Sequence, residues 1–184
     1  MDSLAGTVRD SKARKGGFSD KELLEQELVT EFVTDELRNL ASEVTVSPIE
    51  QRGAAGLLHA HAEIRATLNE NIGDDELLAS LHPTPAVCGL PRGEASKLIR
   101  EIETFSRGYY SGVLGWTDGE TTTAWVMLRC AMVNGANAEF FGGAGIVAQS
   151  DPDMEFDECG WKMETAYRAV FDTIPDMNFP ARLA

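Results

Sequence analysis

Residues 109–147 read YYSGVLGWTDGETTTAWVMLRCAMVNGANAEFFGGAGIV, and this stretch decides the fold class. Aromatic and β-branched residues fill three runs, roughly 109–117, 121–133 and 138–147, separated by Asp118-Gly119 and Asn134-Gly135. These dipeptides supply the positive φ angles of tight hairpin turns, so the spacing predicts an antiparallel meander of three strands. Alternation along the second strand sets Arg129 on the face of Trp125 and Met127, away from Val126, Leu128 and Cys130. A guanidinium inside WVMLRCAMV either emerges at an edge into water or meets an anion, and its planar fork suits a carboxylate. Gly142, Gly143 and Gly145 close the third run; there the backbone can approach a ligand, with tight sheet packing as the alternative. The spacing is not GxGxxG in a βαβ unit, so no dinucleotide fingerprint is present.

Outward from this stretch the periodicity becomes helical. Ser150 or Asp151 followed by Pro152 opens a helix running to about residue 172. On it Glu155, Glu158 and Lys162 fall at i, i+3 and i+7, one face carrying two carboxylates and an ammonium. Such a stripe is either a solvated, ion-paired surface or a site for a hard cation such as Mg²⁺, which takes one or two carboxylates plus water and substrate oxygens. Ala95, Leu98, Ile99, Ile102 and Phe105 mark another helix with a buried stripe, and 74–81 a short one. Leu24, Leu28, Phe32, Val33, Leu37 and Leu40 predict a helix over 21–42, capped by Ser19 or Asp20, on which Glu25 follows an apolar pair. A short strand is expected over 43–48, whereas 57–68, LLHAHAEIRATL, fits strand or helix. The first twenty residues read as a mobile lead-in and the rest as one domain, 21–184. The order of elements predicts an α+β class, an antiparallel sheet with helices packed on one face.

Sixteen Lys and Arg against thirty Asp and Glu give a net charge of −14, which opposes binding to nucleic acid or an anionic membrane surface. Small molecules or proteins are the expected partners, and an anionic ligand would need a local cationic pocket or a metal. Cys88, Cys130 and Cys159 are widely spaced without a CxxC, as for reduced thiols. No apolar run approaches the roughly 20 residues of a membrane span and no signal peptide is evident, so a soluble, cytoplasmic protein is expected. His59 and His61 would share a face only on a strand, and no third zinc ligand stands at a recognisable spacing.

LHPTPAVCGLP (81–91), IREIETFSRGYYSGVLGW (99–116), LRCA (128–131), GGAGIV (142–147) and SDPDMEFDECGWK (150–162), with LAGT at 4–7, together resemble the carboxy-terminal half of the chorismate-utilising enzymes, and among them the isochorismate synthases. The LHPTPAV form separates these from anthranilate, aminodeoxychorismate and salicylate synthases. The fold implied is half of that family's α/β sandwich. The resemblance implies that Glu25 and Glu158, with Glu155 nearby, ligate Mg²⁺, which holds the ring carboxylate of chorismate. It implies that Arg129 grips the enolpyruvyl carboxylate, that Lys162 and the backbone at Gly143 complete the anion site, and that Leu128, Phe141 and Ala86 line the pocket. The implied reaction adds water at C2 of chorismate and expels the C4 hydroxyl, feeding menaquinone or siderophore synthesis. In the family the lysine base and glutamate acid lie upstream of LAGT, so no catalytic residue is expected in this chain. A non-catalytic remnant, or a subunit completed by a separate amino-terminal half, is the alternative; a bared sheet face would then favour self-association. Gln26 stands where the family usually has His, and Thr123 where it is usually acidic.

Overall fold

The computed structural model describes residues 1–9, 17–54, 57–135 and 137–171. The chain forms two compact units, Met1–Thr104 and Phe105–Ala184.

In the first unit the ambiguous segment 57–68 is a strand, β4 (Leu57–Leu68), and it is the spine of the sheet. Strand β1 (Asp2–Arg9) pairs antiparallel along one side, while β2 (Ala41–Val46) and β3 (Glu50–Ala54) follow one another along β4. Part of the expected lead-in is therefore strand. Its local pattern is weak, and what orders it is pairing with residues more than fifty positions away. Residues 10–16 of that lead-in lie outside the described residues. Between β2 and β3, Pro48 interrupts the ladder and Ser47 bridges the gap: its N–H donates to the Glu63 carbonyl and its Oγ accepts the Glu63 N–H, both at 2.9 Å.

Helix α1 (Asp20–Leu40) lies on this sheet. Ser19 precedes it, and the Glu22 carboxylate reaches back to accept the Ser19 N–H at 2.7 Å. Val29, Val33 and Leu37 pack with Ala5 and Ile64, with Phe32, Val44, Leu77 and Leu81 around them. Each such fully buried aliphatic side chain contributes roughly 1.5–3 kcal/mol. Helix α2 (Asp74–Leu81) follows, and α3 (Arg92–Ile102) fully buries none of its residues: of the stripe expected to be covered, Ala95 and Ile99 are half-buried and Leu98, Ile102 and Phe105 are exposed.

The second unit departs from the three-stranded meander. Both turns form where expected, with φ +92° at Gly119 and +61° at Gly135. They close two separate hairpins, β5 (Val113–Thr117) with β6 (Thr122–Val126) and β7 (Ala131–Asn134) with β8 (Asn137–Phe140). The long middle strand is broken at 127–130, and residues 141–147 carry no ladder. Helix α4 (Pro152–Phe171) closes the described chain, with Asp151 Oδ1 accepting the N–H groups of Asp153 and Met154.

Gly6 marks the irregularity in β1, with φ +64°, and a Cβ there would collide with the Glu22 carbonyl oxygen of α1. Gly6→Ala should lower stability by at least about 2 kcal/mol in urea denaturation. Gly93→Ala, where a Cβ meets open space inside α3, should instead raise it by up to about 1 kcal/mol.

Candidate active site

The second unit brings one constellation together. Glu155 and Glu158 on α4 are each only 5% exposed, although both are carboxylates. Lys162 Nζ lies 2.5 Å from Glu158 Oε1 and donates to the Gly143 carbonyl at 3.0 Å. The solvated-surface reading of this helix face is thereby excluded. Two carboxylates buried on one helix face, with Lys162 paired to Glu158, form an acidic and poorly solvated place that is compatible with a hard dication. Among the described residues no group of three or more His, Cys, Asp or Glu is placed to hold a metal. The donors present fit Mg²⁺, which keeps several waters and uses one or two carboxylates, better than a metal needing a full protein cage.

The segment 141–147 is drawn against this helix by missing side chains. A Cβ at Gly142 would sit 2.7 Å from the Cys159 carbonyl oxygen, and one at Gly143 would sit 2.7 Å from the Tyr110 hydroxyl. Tyr110 stacks on Phe141 with ring centroids 5.4 Å apart and planes at 16°, and Arg107 lies over the other ring contact at 5.7 Å from the Tyr110 centroid. Tyr110 was not singled out by sequence reasoning; it stands inside the SRGYYSG motif but was read only as the start of a strand.

Arg129 is not a strand residue. After β6, Met127 N–H still pairs with the Gly112 carbonyl, then Leu128 N–H turns back onto the Val126 carbonyl and Arg129 adopts φ +53°. A non-glycine residue in this left-handed region costs about 1 kcal/mol or more. The cost is borne at a guanidinium that makes no hydrogen bond or ion pair with any described residue. Burial disfavours its charged form, and the Tyr110 hydroxyl and Glu158 carboxylate partly offset that. Alternation along a strand therefore does not set its direction. Leu128, expected to line a pocket, is largely exposed within this segment.

Cys159, next to Glu158 on α4, has its thiol pushed up by burial, with Glu158 and Glu155 adding and Lys162 opposing. Burial likewise pushes up the Cys130 thiol. Both favour the neutral thiol rather than a nucleophile, and all three cysteines are free.

Glu25 and Ala86 belong to the first unit. The Glu25 side chain is 10% exposed and pairs with Lys21 Nζ at 2.9 Å. A lysine one helical turn away thus accompanies both Glu25 and Glu158. Gln26 is fully buried beside Glu25 but supports β1 rather than the carboxylate. Its Oε1 accepts the Ala5 N–H at 2.6 Å, and its Nε2 donates to the Ser3 carbonyl, Ser3 Oγ and Thr30 Oγ1. Ala86 is exposed in the 82–91 loop, where the Thr84 carbonyl accepts the N–H groups of Val87 and Cys88. His59 and His61 do share a face of β4, but their partners are Thr7 and, for His61, two carboxylates.

The α+β units and the α4 face belong to a recognisable class: residues 2–171 match the family model described as chorismate binding enzyme, and the chain belongs to that family. It is 40% identical over 160 residues to the vibriobactin-specific isochorismate synthase of Vibrio cholerae, covering 82% of this chain and 39% of that protein. It is 36% identical over 165 residues to isochorismate synthase MenF of Haemophilus influenzae, covering 85% and 38%. Among solved structures, a putative 2,3-dihydroxybenzoate-specific isochorismate synthase, DhbC from Bacillus anthracis, superposes with a TM-score of 0.85 at 33% identity, covering 92% of this chain and 48% of that one. The chain therefore spans about two fifths of the length of these curated relatives. No helix among the described residues is long and apolar enough to cross a membrane.

Replacing Arg129 by glycine removes both the backbone strain and a buried charge. Arg129→Gly should leave stability unchanged or raise it by up to about 1 kcal/mol, whereas Gly142→Ala should lower it by about 1–3 kcal/mol through its clash with α4; both are read by chemical denaturation.

Proposed function

We propose that this chain contributes the Mg²⁺- and carboxylate-binding part of an isochorismate synthase, acting on chorismate in the cytoplasm. The observation that carries the reading is the buried Glu155, Glu158 and Lys162 face with the strained Arg129, which makes no ion pair among the described residues, in the same unit. Glu158 and Glu155 would hold the metal, which when bound supplies positive charge for the ring carboxylate of the substrate. Arg129 binds the enolpyruvyl carboxylate through its planar fork. Lys162, which donates to the Gly143 carbonyl and pairs with Glu158, contributes a second cation to the anion site. Phe141 of the same unit would supply apolar lining. Adding water at C2 and expelling the C4 hydroxyl needs a base and an acid, and neither role is assigned to a residue of this chain. The names of its relatives, vibriobactin-specific synthase and MenF, support a place in either siderophore or menaquinone synthesis.

Titration of the purified chain with chorismate, with and without Mg²⁺, tests the reading. Glu158→Gln should weaken Mg²⁺-dependent binding at least about tenfold, or roughly 1.4 kcal/mol, and Arg129→Gly should weaken binding in both conditions. Chromatography of the same mixtures then separates two outcomes. Isochorismate formed by the chain alone makes it a complete catalyst; binding without turnover makes it a subunit whose base and acid are supplied by another chain. Absence of chorismate binding overturns the proposal.

A further inference from the structure

On the face of the first unit's sheet opposite α1, the His61 ring lies between carboxylates from two different strands. Its Nδ1 is 3.0 Å from Glu50 Oε1 of β3, and its Nε2 is 2.7 Å from Asp2 Oδ1 of β1. The side chain is 5% exposed. A neutral imidazole carries a single N–H, so it satisfies one of these carboxylates and turns a lone pair toward the other. Only the doubly protonated ring donates to both. Arg52 Nη1 also donates to Asp2 Oδ1, at 2.6 Å, and its 3.0 Å separation from His61 Nε2 then reflects two donors converging on one oxygen.

We propose that His61 is a proton-dependent clasp that fastens β1 and β3 to β4, closed while the ring is charged and released as it loses its proton. The charges facing it are Asp2 from β1, Glu50 and Arg52 from β3, and Glu63 from β4 itself, which is engaged by Arg65 at 2.8 Å. Helix α1 contributes none, because it packs on the face of Ala5 and Ile64, which alternation sets opposite to His61. The same side chains, with Ser47, Pro48 and Ile49, line an open cavity of about 450 Å³, through which solvent protons reach the cluster. The His61 hydrogen bond, opposed by burial and joined by Arg52, holds the Asp2 carboxyl below its ordinary value. Asp2 thus contributes stability above the ordinary carboxylate range, and that contribution is lost as pH falls through the lowered value. On the acid side the clasp is bounded by protonation of Asp2. Its release reaches α1, since β1 also carries the Ser3 and Ala5 groups that hold Gln26.

Thermal unfolding of the full chain and of His61→Asn between about pH 5.5 and about pH 8.5 tests this. A chain of charge −14 repels itself increasingly as pH rises, so only the difference between the two proteins reports the clasp. The wild-type midpoint should fall by about 2–4 °C more than that of His61→Asn across this range; parallel curves overturn the proposal. The second readout needs no substitution of the ring. Glu50→Gln, which removes one of the two facing carboxylates, should likewise reduce the excess fall of the unfolding midpoint across this range. A fall as large as that of the wild type overturns the proposal equally.

Discussion

Two carboxylates and one ammonium share a face of α4 with almost no contact with water, and the second unit is arranged around that imbalance. An uncompensated buried carboxylate is expensive, so Lys162 cannot be a loose surface partner. It is fixed from both ends, by Glu158 and by the Gly143 carbonyl, and this requires the 141–147 segment to touch the helix. The contact in turn requires that positions 142 and 143 lack side chains, one because of the Cys159 carbonyl and the other because of the Tyr110 hydroxyl. The glycine-rich run is therefore explained by approach of backbone to helix and to tyrosine, without any turn or positive φ at those two positions.

The first unit solves a similar problem with neutral groups. A fully buried glutamine beside Glu25 would be costly unless every polar atom were satisfied, and Gln26 meets that condition with four bonds to β1 and α1. This ties the strand that contains LAGT to the helix that presents Glu25. Gly6 lets that strand come close enough for the bonds to form, because its absent Cβ leaves room for the Glu22 carbonyl. Local sequence gives little reason for β1 to be ordered; partners on β4 and α1 supply it.

What the sequence made legible follows from which signals are local. The helices over 20–40, 74–81 and 152–171, and both hairpin turns, rest on periodicity, caps and glycine placement within a few residues, and each formed close to its expected bounds. The 155/158/162 face was legible as geometry, but its burial was not, since spacing alone does not tell a solvated stripe from a covered one. Strands β1 and β3 depend on pairing at a distance and carry little alternation, so they were missed. The meander failed at residues 127–130 because a run of apolar residues says nothing of where a ladder ends. The largely exposed stripe of α3 shows the same limit from the other side: amphipathic spacing marks a face able to be covered, not one that is. Tyr110 escaped notice since its contacts, to Phe141, Gly143 and Arg107, join segments separated in the chain.

Arg129 shows where local rules yield to the site. A strand carrying Val126 and Leu128 would continue most easily as strand, yet the backbone reverses at 127–129 and places an arginine where glycine is preferred. Neither packing nor hydrogen bonding within the described residues repays that strain, for Leu128 is exposed and the guanidinium has only the more distant influence of Tyr110 and Glu158. A residue that is strained, partly desolvated and without a direct partner is held by its surroundings for something they lack. In a chain with fourteen more negative than positive charges, an arginine that makes no direct ion pair with a carboxylate among the described residues is the feature least expected by chance. Its isolation leaves both prongs of the fork available to a carboxylate that arrives from outside the chain.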